Sequence, residues 1–196
     1  MGIKKSTKIK SKKKSNNIKT KRYVDIKWVS IITICAFLIS LFFSIITETI
    51  MSNIGAFLGV FIVLLIIIIG VLFDMIGVAI TACDTKSFNA MAAKKIKGSK
   101  TALWLIKNAE KVSAFCNDVI GDVCGVISGS VGILISQLIA SKLLVNSALV
   151  TLLVTAIIAA LTIGGKAIGK SFAMNKSEKI VFRFAKFINL FRKEVN

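Results

Sequence analysis

The sequence predicts an all-α integral membrane protein, with four transmembrane helices and amphipathic juxtamembrane helices. Three observations carry this. The 196-residue chain is 55% hydrophobic with no proline, yet its formal net charge is +18. The apolar and basic residues are segregated along it. The apolar ones fall in four blocks, each holding roughly the 20 residues that a helix needs to cross a ~30 Å hydrocarbon core. A soluble core helix keeps a polar face, and VFIVLLIIIIGVLF (60–73) has none.

Residues 1–27 are polar and lysine-rich without apolar periodicity, which predicts a disordered cytoplasmic tail. Such a tail holds to anionic lipid at ~1 kcal/mol per basic residue near the surface. MGIKKS fits a myristoylation pattern, but the lysine- and isoleucine-rich usage points to a bacterium and the match reads as chance. Residues 28–53 hold the first span, about Trp28 to Ile46, and a short outer loop. No small-residue cleavage site accompanies it, so it is read as retained. Residues 54–173 hold three more spans: Ile54 to Thr81, Val119 to Leu144 and Ala148 to Ile168. Residues 174–196 form a basic amphipathic helix with Ile180, Phe184, Phe187, Ile188 and Phe191 on one face. That is the pattern of a helix lying in the membrane interface, and docking on a partner helix fits it almost as well. Ser87 to Lys97 and Lys100 to Lys107 look like shorter versions.

The basic residues set the orientation. Eleven Lys or Arg precede Trp28, seven lie from Lys86 to Lys111, and eight run from Lys166 to Lys193. The loop Thr47 to Asn53 has none. The positive-inside rule places both termini and the central loop in the cytoplasm, in a bacterial plasma membrane. Cys35, Cys83, Cys116 and Cys124 show no metal-ligand spacing and read as free thiols. With no histidine and no nucleophile–base pair, catalysis is not expected. No aromatic interleaving accompanies the basic tail, so nucleic acid is not an expected partner.

Polar residues inside the spans mark the candidate site. Asp74 lies inside the second span, where an ionisable group costs at least ~2.5 kcal/mol on insertion scales. Gly70, Asp74, Gly77 and Thr81 share its helical face. In the third span Asp118, Asp122, Gly125, Gly129, Gly132 and Ser136 share another. In the fourth, Thr151, Thr155, Ala159, Thr162 and Lys166 repeat the device. Small faces by themselves serve close packing in lipid, but they do not explain the carboxylates. Asp74, Asp118, Asp122 and Lys166 all fall in the cytoplasmic half of the bilayer, where they could meet in one cavity. Interfacial snorkelling is the alternative for Asp118 and Lys166.

Gly164 to Ser171, GGKAIGKS, fits the phosphate-loop pattern G-x-x-x-x-G-K-[ST] without a mismatch. Such a loop needs a strand before it and a parallel sheet around it. Here the preceding apolar run is long enough to span a membrane, and no alternation of strands and helices follows. A nucleotide is therefore not expected. The glycines are read as loosening the inner end of the fourth span.

The order of these features resembles the transmembrane domain of the CorB/CorC magnesium transporters and their cyclin M relatives. FDMIGVAIT can be laid on that family's first signature, S-G-x-E-x-A. FCNDVIGD stands where its asparagine pair belongs. GGKAIGKSFAMNKSE matches G-E-x-x-P-K-x-x-A in spacing through Lys170, Ala173, Asn175 and Glu178. The likeness covers about Phe61 to Phe187, without the nucleotide-sensing domains that usually follow. It implies divalent-cation transport, outward, with magnesium as the transported ion, and a homodimer. By position it implies Asp74 and Asn117 as cation ligands, with Asp118 and Asp122 drawing the ion at the mouth. Lys166 stands at the signature's glutamate and Gly169 at its proline; with Gly165 they form the gating or counter-charge group. An ammonium offers a cation no oxygen. The alternative is therefore a non-transporting regulatory or structural protein, in which Lys166 fills the site and pairs with Asp74 or Asp118. Anionic lipid at the basic tails and a separate cytoplasmic regulatory protein are the further partners expected.

Overall fold

A computed structural model describes residues 26–51 and 55–191. The tail before Ile26, the stretch 52–54, the last five residues and the side chains of Met51 and Phe191 lie outside the described residues, as do the readings made on them. The described elements are α1 (Ile26–Met51), α2 (Ala56–Ala82), α3 (Thr85–Ala93), α4 (Ser99–Lys107) and α5 (Ala109–Ala114). A π-helical turn, Phe115–Gly121, then leads into α6 (Asp122–Leu143), α7 (Ser147–Asn175) and α8 (Ser177–Phe191). No strand occurs among the described residues. Four stretches are long and apolar enough to cross a membrane: Ile26–Ile50, Ala56–Ala82, Ala109–Leu143 and Ser147–Asn175. The fold is the all-α, four-span one that the sequence predicts.

Three spans are longer than their apolar blocks, the first by a few residues at each end and the third and fourth by more. The third starts at Ala109 rather than Val119, and the fourth runs past Ile168 to Asn175. Apolarity marks only what lies in lipid. Once nucleated, each further helical residue adds a hydrogen bond for one residue fixed, so the helices continue into polar sequence. α7 passes through the glycines of GGKAIGKS unbroken.

Local chemistry sets the ends. Asp84 caps α3, its Oδ1 accepting from the Lys86 N–H at 3.2 Å. Asn146 caps α7 by accepting from the Ala148 N–H at 3.0 Å. Each satisfies a backbone donor that the first helical turn leaves free. The turn before α4 needs the left-handed backbone of Gly98, φ 93°, which glycine adopts without Cβ strain.

α2 lies at the centre, packed against α6, α7, α8 and the α5–π stretch, while α1 packs along α6. Two cores result. One lies within the spans and joins Val63 and Ile67 of α2 to Val123, Ile127, Val131 and Ile135 of α6 and Ile158 of α7. Lipid gives apolar contacts no advantage over protein, so close approach of small residues must hold this core. Gly132 supplies one such approach: a Cβ there would overlap the Ile158 side chain. Ser136 adds a hydroxyl bond to Thr151 at 2.8 Å.

The second core sits where the spans meet the short helices. Ala79, Ile80 and Cys83 at the end of α2 pack with Phe88, Ala102, Leu105, Ala173, Val181 and Ala185. The helices α3, α4 and α8 therefore form a belt around one end of the bundle. Of the two readings for α8, the contacts match docking on helices: Val181 and Ala185 are fully buried. The Thr101 hydroxyl on α4 donates to Asn189 Oδ1 at 2.5 Å, and the Ser87 hydroxyl on α3 to Glu178 Oε1 at 2.5 Å. Phe187 and Leu190 remain exposed on its outer side. All four cysteines are free. Burial pushes the Cys83 thiol above its ordinary pKa, against a hydrogen bond from Ser177 that lowers it.

Candidate cation site between α2, the π turn and α7

Asp74 is 3% exposed, although it stands on the most apolar span of the four. It is buried because its helical face is glycine above and below. Position 70 lies against Cys124, where an added Cβ would meet the Cys124 Cβ at 2.9 Å. Position 77 lies against Asn117, whose Oδ1 occupies the place a Cβ would take. The expected small face of α2 thus receives the start of the third span.

The π turn is what aims Asn117 there. It spans FCNDVIG, the stretch singled out in sequence for its polar residues. A π turn inserts one residue into the helical register and commonly marks a functional position. A Cβ added at Gly121 would stand 3.4 Å from the Cys116 carbonyl oxygen. Asn117 donates from Nδ2 to the Ser113 hydroxyl at 3.2 Å, which leaves its Oδ1 turned to α2.

Two oxygens in this place are buried without a hydrogen-bond partner: Asp74 Oδ2 and Asn117 Oδ1. A buried acceptor without a partner costs on the order of 1–3 kcal/mol, more when charged. Residues three apart on a helix have Cβ atoms about 5–6 Å apart, so the Asn117 oxygen at the Gly77 surface is a neighbour of Asp74. Hard oxygen donors of this kind suit magnesium or calcium.

Charge comes from α7. Lys166 Nζ donates to Asp122 Oδ1 at 2.9 Å. Lys170 Nζ lies 3.6 Å from Asp74 Oδ2. This corrects the expected pairing of Lys166 with Asp74 or Asp118: one helical turn along α7, Lys170 takes Asp74, and Lys166 takes Asp122. Lys170 entered the sequence reading only as a signature match and as the lysine of the phosphate-loop pattern. Its position four residues after Lys166, on the same face, was the signal for a second ammonium. Asp118 is exposed, and the charges of Asp122, Asp74, Lys166 and Lys170 all act on it. α7 is continuous through Gly165 and Gly169. A Cβ at either would stand 3.0 or 3.1 Å from the Val71 methyls, so they let α7 close on α2 and bring both lysines to the acids.

The site therefore joins two buried oxygens that accept no hydrogen bond, Asn117 Oδ1 and the Lys170-facing Asp74 Oδ2, to the Lys166–Asp122 ion pair and the exposed carboxylate of Asp118. Among the described residues, no three of His, Cys, Asp and Glu lie close enough to hold one metal ion. GGKAIGKS is helix interior. Its N–H groups there are committed to carbonyls of the preceding turn, which is not the conformation of a phosphate loop.

The family model described as the cyclin M transmembrane N-terminal domain matches residues 60–194. This chain belongs to that family. It is thus a multi-pass membrane protein of a family linked to divalent-cation transport. The match begins in the second turn of α2, after α1, and runs through α8. No curated protein and no solved structure matches the chain.

Proposed function

We propose that this cyclin M-type protein moves a divalent cation across a bacterial plasma membrane, with magnesium as the ion and export as the direction. The observation that carries this is the pair of buried oxygens that accept no hydrogen bond, Asp74 Oδ2 and Asn117 Oδ1, at the seam between α2 and the π turn. A cation binding there would take the place of the Lys170 ammonium, 3.6 Å from Asp74 Oδ2. Asp118 and Asp122, both exposed, draw the ion toward them. The belt faces the cytoplasm, as the lysine distribution requires, and anionic lipid is the neighbour of its basic surface. The chain acts as a homodimer, can answer to a separate cytoplasmic regulatory protein, and is neither an enzyme nor a nucleotide binder.

A second reading has its own observation. Lys166 and Lys170 already neutralise Asp122 and Asp74. A chain in which both ammoniums stay in place would be a non-transporting structural or regulatory subunit.

Lys166→Glu decides between them. It restores the family's residue and adds an oxygen ligand beside Asp122, whereas Lys166→Met only removes charge. Calorimetric titration of magnesium into purified protein should show tighter binding for Lys166→Glu than for Lys166→Met, and for either than for wild type. A further Asp122→Asn change should abolish the gain. Magnesium efflux from proteoliposomes carrying wild type would support transport. No efflux and no binding by any variant would establish the second reading.

A further inference from the structure

A cleft of about 320 Å³ opens between α1 and α6, away from the belt. Ser44, Thr47 and Glu48 line it from α1, and Ser130 and Leu134 are among the residues lining it from α6. It lies outside the site described above. At ~1.5 Å rise per residue, Leu134 is roughly 18 Å along α6 from Asp122. α1 itself precedes the region matched to the family.

Two of the three hydroxyls in the cleft face it as acceptors. The Thr47 hydroxyl spends its proton on the Phe43 carbonyl at 2.6 Å. The Ser130 hydroxyl spends its proton on the Val126 carbonyl at 3.1 Å. Both then offer lone pairs. Glu48 adds a carboxylate, and among the described residues no basic side chain lines the cleft and no lysine or arginine pairs with Glu48. The facing wall of Ile127, Val131, Ile133 and Leu134 is aliphatic, and a low-dielectric wall strengthens the field of a lone charge.

We propose that this cleft is a second cation site, in which Glu48 holds a hydrated divalent cation. The volume selects the hydrated form. Water occupies about 30 Å³ in the liquid, so the cleft takes about ten waters, enough for an ion with its inner shell. Magnesium keeps several waters and is commonly held through one or two carboxylates. The site is therefore weak and water-mediated. The choice of ion class rests on the function proposed above, and the topology proposed there puts the cleft toward the outside.

The test is manganese binding, read by electron paramagnetic resonance on the full chain in lipid nanodiscs. Glu48→Gln should lose one bound manganese per chain, and Glu48→Asp should keep it. Asp74→Asn with Asp122→Asn should leave the Glu48-dependent ion in place. An isotherm for Glu48→Gln that overlays wild type, on protein of unchanged elution, overturns the proposal and leaves Glu48 as an interfacial anchor. If Glu48→Gln does not fold, Thr47→Val with Ser130→Ala must weaken the same binding, and no change overturns the proposal. Glu48-dependent binding without any Asp74-dependent binding would count against the transport reading alone. No manganese bound by wild type would count against both.

Discussion

Glycine does different work at different places on these helices, and the difference is measurable. At position 77 the missing Cβ is the space that Asn117 Oδ1 fills. At position 129 nothing lies within 4 Å of where a Cβ would stand. Gly77→Ala should therefore lower the thermal unfolding midpoint and weaken any magnesium-dependent stabilisation, because a ligand that binds only the native state stabilises it. Gly129→Ala should leave the unfolding of the single chain unchanged or raise it slightly, since alanine is the better helix former by about 1 kcal/mol. Equal destabilisation by both would remove Asn117 from the site. In sequence the two positions look alike, as small residues on a helical face. What separates them is the π turn opposite Gly77, and no local pattern announces a π turn. Asp74 was legible by itself, because a carboxylate in that span has no bland explanation. Its partner was not: sequence depth allowed Lys166 or Lys170 equally, and the choice between them, one turn apart, depends on how α7 crosses α2.

At the scale of elements, α7 and α8 carry the informative cases. GGKAIGKS has every residue of a phosphate loop and is helix throughout. Lys170→Ala should leave ATP binding absent, as in wild type. It should also destabilise the protein, because it leaves Asp74 buried without its cation. Breaking a fully buried pair costs ~3–5 kcal/mol, and the half-exposed Lys170 side chain reduces that toward the low end or below. Saturable ATP binding lost on Lys170→Ala would overturn this account. The amphipathic pattern of α8 was legible, but its partner was not. Apolar residues on one side fit lipid or protein equally well, and the contacts of Val181 and Ala185 with the α2–α4 core decide. Val181→Asp should detach α8 from the belt and raise its rate of proteolysis in detergent, while Phe187→Asp, on the exposed outer side, should not. Protection that Phe187→Asp removes and Val181→Asp leaves would place lipid, not helices, on the buried side.

For the whole molecule, lysine distribution and span count make one joint prediction. Single cysteines introduced at Ser15, Lys97 and Lys193 should react with an impermeant thiol reagent from the cytoplasmic side only, and one at Ser52 from outside. Labelling at Lys97 from outside would overturn the proposed orientation and, with it, the direction of export. The proposed homodimer has a candidate place as well. Gly125 and Gly129 of α6 have open space where a Cβ would project, and small faces that approach closely are the usual means of helix association in lipid. Leucine at both positions should shift the detergent-solubilised protein to a smaller species in sedimentation, and an unchanged mass would place any dimer elsewhere.

Composition and order along the chain determined that this protein crosses a membrane four times, which segments do so, and that a carboxylate stands inside the second span. Those properties follow from the cost of putting single residues or single helices into lipid, and such costs are local. Tertiary structure alone decided which lysine meets which acid, that Asn117 reaches α2 through a π turn, that α8 closes on the belt, and that α1 makes a cleft with α6. Each of these depends on how two helices cross and on the rotation of each about its axis. In lipid those angles are set by the fit of small faces against one another rather than by the amount of apolar surface, and fit is a property of pairs that no single stretch of sequence contains.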